Sequence, residues 1–166
     1  MMILPSSLRS SRGSFFSRMP MTDQSPDFKR CLQRGGLTRI NSDPRIVAKE
    51  MLVARQDLSE GEASIERGSF KWATVQAYYA MFHIAKALVY QSGYREKSHR
   101  CLAIALRELY VRPGRLDEAV LVELEDARAL REEADYRGSF SETAARQSVS
   151  AAQRFVSYAA KLTNQN

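Results

Sequence analysis

Only two histidines occur in the 166-residue chain, His83 and His99, and they are the side chains best matched to proton transfer near neutral pH. His99 lies in the run Gly93-Tyr-Arg-Glu-Lys-Ser-His-Arg100, which sets Arg95, Lys97 and Arg100 beside a helix start. Free backbone N–H groups and the positive end of the helix dipole favour an anion there. Arg95, Lys97, His99 and Arg100 are therefore a candidate phosphate-binding set; a solvated, charged turn is the plain alternative. His83 belongs to a different pattern. Trp72, Gln76, Tyr79, His83, Lys86 and Tyr90 recur at alternating four- and three-residue steps, so a helix would carry them on one line. A stripe of aromatics and polar tips on an otherwise apolar helix can be a boundary face, a homodimer seam or a ligand groove. Arg131 is followed one turn later by Asp135, spaced for an ion pair in a structural clamp between two helices.

Other constellations fail on spacing. Glu96-x-x-His99 spells half of a di-iron bundle site, but the second half would need a carboxylate three residues before His83, where Ala80 stands. Cys101 and His99 are two residues apart and diverge on a helix, and nothing else completes a zinc site. No glycine loop could cradle a nucleotide's phosphates. The expectation is no metal and no cofactor. Cys–His or Ser–His nucleophiles stay open, since such partners meet only in space. With two cysteines, Cys31 and Cys101, a disulfide scaffold cannot be built, and reduced thiols in a cytoplasmic setting are expected.

The net charge of +6 suggests nucleic acid, but its distribution does not. Residues 1–46 hold eight Lys/Arg against three Asp, and the remaining 120 residues hold 17 basic and 16 acidic groups. The body is nearly neutral and offers no broad phosphate-binding face. Residues 1–22 contain no acidic residue and are rich in Ser and Arg. They read as a transit-like leader or as an over-long start, with translation beginning at Met19 or Met21. No apolar run is long enough to span a membrane.

These residues must be positioned by helices. Residues 1–43 read as an irregular basic arm and 44–166 as one all-α domain. Val47, Met51, Ala54, Leu58 and Ile65 draw one apolar line from Pro44 to Gly68. A second helix, capped by Ser69, runs to about Tyr90 and stops at Gly93. Apolar over most of its circumference, it is the central one. A third starts near Ser98 and ends before Pro113-Gly114, and a fourth runs from about Leu116 to Ala134. A fifth opens with Ser139 and Glu142 as a capping box and runs to about Leu162. Short connections and no alternating strand pattern indicate an antiparallel up-and-down bundle of four to five helices.

Three segments then carry a resemblance: Gly68 to Tyr90 (GSFKWATVQAYYAMFHIAKALVY), Gly93 to Leu102 (GYREKSHRCL), and Leu130 to Tyr136 (LREEADY) with Phe140-Ser-Glu142. Together they resemble the HEPN domain, over roughly residues 45–163, and most closely the small stand-alone prokaryotic members. The resemblance implies a homodimeric helical bundle engaged in nucleotide or RNA chemistry, often in a toxin–antitoxin pair with a minimal nucleotidyltransferase. Many members are metal-independent ribonucleases that use an arginine followed, four to six residues on, by a histidine. Here Arg95 stands too close to His99, and Arg67 too far from His83, so that motif is absent as written. The expectation is a binding module. A ribonuclease using His99, with Arg95 or His83, and a structural oligomerising adaptor are the alternatives.

Overall fold

The computed structural model describes residues 23–163; the reading of residues 1–22 as a leader or mis-set start lies outside them. The fold is all-α, with six helices and one small two-stranded sheet. The elements run α1 (Pro26–Gln33), β1 (Leu37–Arg39), α2 (Pro44–Glu66), α3 (Phe70–Gln91), β2 (Tyr94–Glu96), α4 (His99–Leu106), α5 (Glu118–Glu132) and α6 (Glu142–Thr163). Wider π-helical turns extend α4 through Arg107–Val111 and α5 through Glu133–Arg137.

The apolar line read along α2 meets the core: Val47, Met51 and Ala54 are buried, and Leu58 and Ile65 pack against them. Gly61 lies on the same line, and a Cβ there would touch the Gln76 Cβ and the Ala73–Ala77 backbone of α3 at 3.6–3.7 Å. That is ordinary contact, so Gly61→Ala fits and removes the backbone-entropy cost of a mid-helix glycine. We predict stabilisation of about 0.5–1 kcal/mol, read by urea denaturation.

α3 is the central helix, packed by α2, α4, α5 and α6. Thirteen of its residues are buried, because small Ala73, Ala77, Ala80 and Ala87 let neighbours approach while Met81, Ile84 and Leu88 fill the gaps between them. It ends as expected: Ser92 is the C-cap, and Gly93 takes φ +81°, a left-handed conformation that a Cβ would disfavour. Buried Tyr110 donates its hydroxyl to the Leu88 carbonyl at 2.7 Å and accepts from Ser92 Oγ at 2.9 Å, tying the turn after α4 to this end of α3.

The structure corrects four expectations. Residues 23–43 are not irregular: α1 and β1 fold against the bundle. Phe28 is fully buried with its ring 5.3 Å from that of Tyr94, and Leu37 is buried as well. Second, a strand does occur inside the helical domain. β2 pairs antiparallel with β1, Leu37 opposite Glu96 and Arg39 opposite Tyr94; at three residues each, the strands are too short to show alternation. Third, Cys31 and Cys101 are not reduced thiols but bonded to each other across 70 residues, which couples α1 to the first turn of α4. A reducing compartment disfavours that state, and it removes Cys101 as a nucleophile. Finally, two caps shift. Ser69 occupies the cap position of α3 without a side-chain bond, and Ser141, not Ser139, caps α6 by accepting from Ala144 N–H at 3.1 Å.

Candidate functional site

Adjacent residues on α3 face two different surroundings. Tyr78 and Phe82 point toward α4 and α5, whereas Gln76 and His83 point toward α2. His99 is the first residue of α4, held there because Ser98 Oγ accepts from the Cys101 N–H at 3.2 Å. Its imidazole lies 4.9 Å from the Phe82 ring, and its Nδ1 is 2.6 Å from the Tyr78 hydroxyl. With Leu102 of α4 and Leu124, Glu125 and Arg128 of α5, these groups line a shallow pocket.

The hydrogen bond fixes a tautomer. Burial pushes the Tyr78 hydroxyl up to about 12, so it keeps its proton, and it has no acceptor other than His99 among the described residues. His99 is exposed overall, but desolvation by the groups packed against its ring lowers its pKa from the ordinary value, helped by Arg128 and Arg131 and opposed by Glu132 and Glu125. At neutral pH the imidazole is therefore uncharged; Nδ1 accepts from Tyr78, and the proton sits on Nε2. His99 thus offers one N–H donor to the pocket. The depressed pKa has a sign for stability. Below the unfolded value near 6.5 the unfolded chain protonates first, so His99 makes the fold lose stability as pH falls through that value toward the folded pKa. His99→Gln should flatten this part of a pH–Tm profile.

Beside the pocket, Arg131 is a hub. Its Nη2 donates to the Tyr79 hydroxyl at 3.0 Å and its Nε ion-pairs with Asp135 at 2.9 Å. The guanidinium carbon lies 5.5–5.8 Å from the rings of Tyr78, Tyr79 and Tyr136. The expected Arg131–Asp135 pair is thus present, and through Tyr79 it joins α5 to α3. Arg128, one turn earlier, pairs with Glu132 at 3.1 Å.

His83 lies on the other side of Phe82, whose ring is 5.7 Å from it. Its Nδ1 is 2.6 Å from Glu50 Oε2 and its Nε2 3.9 Å from Asp57; Lys86 Nζ is 3.2 Å from the other Glu50 oxygen. Burial pushes the carboxyls of Asp57 and Glu96 above their ordinary values. Phe82 thus stands between the two histidines, which do not share one reacting atom.

The stripe Trp72–Tyr90 is consequently not one open surface. Trp72 is exposed, Gln76 bonds Ser64 of α2 at 2.8 Å, Tyr79 meets Arg131, His83 and Lys86 meet Glu50, and Tyr90 is buried in the core. Of the cationic turn, only His99 enters the pocket. Arg95 sits exposed in β2, and Lys97 and Arg100 are exposed as well; their side chains make no hydrogen bond or ion pair among the described residues. Sequence reasoning missed Tyr78, Phe82, Glu125 and Arg128. Tyr78 hides among apolar positions of α3, and Arg128 carried one signal, its three-residue spacing from Arg131 on the same helix face. Among the described residues no group of His, Cys, Asp or Glu could hold a metal ion, and no helix is long and apolar enough to cross a membrane.

Compared with known proteins, the chain matches the family model of the HEPN domain over residues 50–162. No curated protein matches it.

Proposed function

Because this chain belongs to the HEPN-domain family, we propose that it is a nucleotide- or phosphate-binding module whose binding point is the His99 pocket. The observation that carries this reading is that His99, its Nδ1 held by Tyr78, and Arg128 line one pocket. An imidazole N–H and a guanidinium are directional donors for phosphate oxygens. Arg95, Lys97 and Arg100 would act as peripheral cations that screen and steer.

In this reading the protein works as a homodimer beside a minimal nucleotidyltransferase, in a toxin–antitoxin-like pair. Trp72, exposed at the start of α3, is the stripe residue available to a seam, and Trp72→Asp should yield monomers by light scattering. The binding test is thermal. Millimolar ATP, GTP or short RNA should raise Tm, since a ligand that binds only the folded state stabilises it. Arg128→Ala should abolish the shift. No shift with any of the three speaks against the reading. Affinity for a phosphodiester should also rise as pH falls below the ordinary histidine range, because protonated His99 adds a charge while the diester keeps its own.

The shared pocket favours a second reading as a ribonuclease. Arg128 supplies from α5 the guanidinium that the sequence spacing around His99 did not. Cleavage of RNA without added metal, lost in His99→Ala, would establish it; intact RNA would dismiss it.

A further inference from the structure

The charge around the pocket is not that of a simple anion site. Arg128 and Arg131 face Glu125, Glu132 and Asp135, and two of these carboxylates are ion-paired to the two guanidiniums. Coulomb attraction alone therefore holds a phosphate weakly, and inorganic phosphate would be a poor ligand. Whatever binds here must draw free energy from something besides charge.

Tyr136 can supply it. It sits in the wide turn that ends α5 and is 77% exposed. The Arg131 guanidinium is 5.8 Å from its ring and 5.8 Å from that of Tyr78, whose hydroxyl holds His99. Arg131 is thus the physical link between the pocket and an exposed aromatic face. Its Nη1 makes no hydrogen bond among the described residues, leaving two N–H donors for a ligand. A single exposed tyrosine is unremarkable by itself. A tyrosine joined through one guanidinium to a neutral His donor has the layout of a stacking platform next to a phosphate contact.

We propose that Tyr136 is a nucleobase-stacking subsite, so that the ligand of the His99 pocket is a nucleotide unit recognised by its base as well as its phosphate. This rests on the pocket being a phosphate-binding site. The phosphate takes the Nη1 donors of Arg131 together with Arg128 and the His99 N–H, and the base lies on Tyr136. A free nucleotide and a nucleotide in a single RNA strand present this same chemistry.

The test is calorimetric titration of the full chain with inorganic phosphate, ribose 5-phosphate, AMP and a short oligoadenylate RNA. AMP or the RNA should bind about tenfold tighter than ribose 5-phosphate. Tyr136→Ala should erase that preference, and Tyr136→Trp should keep or enlarge it; the side chain is exposed, so both variants should melt like the parent chain. Preference for AMP identifies the free nucleotide as the source; preference for RNA alone identifies the strand. Equal binding of ribose 5-phosphate and AMP, unchanged in Tyr136→Ala, overturns the stacking subsite while leaving the phosphate site standing. No binding of any of the four overturns the phosphate site, and the subsite with it.

Discussion

Replacing either bonded cysteine by serine should lower the melting temperature by about 10 °C or more. The Cys31–Cys101 bond closes a loop of 70 residues, and cross-links over loops of that size stabilise small domains by about 4 kcal/mol through the entropy they remove from the unfolded chain. For a domain of this size that corresponds to roughly 10–15 °C. Cys31→Ser, Cys101→Ser and the double variant should melt together, because all three remove the same bond. Reduction of the parent chain should reproduce their value. The effect should reach the pocket as well, since Cys101 lies two residues after His99 in the first turn of α4. A parent chain whose Tm is indifferent to reductant would show that β1–β2 pairing and buried Phe28 suffice to dock the arm.

Arg112→Ala should cost about 3 kcal/mol, the second large effect. Glu108 is 2% exposed, and its Oε1 accepts from Arg112 Nη1 at 2.9 Å and from the Ser25 N–H at 3.0 Å. Removing the arginine strands a buried carboxylate with one backbone donor, which costs far more than the loss of an exposed pair. Arg112 also donates to the Asp23 carbonyl at 2.6 Å, so the segment before α1 loosens too. Adding Glu108→Gln to Arg112→Ala should restore much of the loss, because a neutral amide tolerates burial without a cation and can still accept from Ser25. Equilibrium denaturation of the two single variants and the double variant measures this coupling. No restoration in the double variant would show that the loss comes from packing of the arginine stem.

The helical architecture was legible in the sequence for a physical reason. In α2 and α3 the spacing of apolar residues is set by burial along whole helices, and twenty-odd residues repeat the signal several times over. The arm was not legible, because what orders it is long-range. Phe28 finds Tyr94, Cys31 finds Cys101 and Leu37 finds the core only once α3 and α4 are in place, and α1 with 8 residues could not hold its shape alone. Site residues divided along the same line. His99 and Arg131 stood out by type, and their neighbours in sequence, Arg95 and Asp135, suggested roles for them. Tyr78 and Arg128 acquire meaning only from the packing of α3 against α4 and α5. The charged turn misled because charge in a sequence is visible and direction is not. Pairing with β1 turns Arg95 outward in β2 and leaves His99 alone facing the pocket.

The binding proposal places ligand contact at His99, held by Tyr78 with its proton on Nε2. Nitrogen-resolved NMR of the two imidazoles at pH 7, during titration with AMP, tests it most directly. His99 should start as the neutral Nε2–H tautomer and its nitrogens should shift on binding, while those of His83, enclosed by Glu50 and Asp57 behind Phe82, should stay in place. A proton on Nδ1 of His99 at the outset, or shifts at His83 with His99 unmoved, would contradict it.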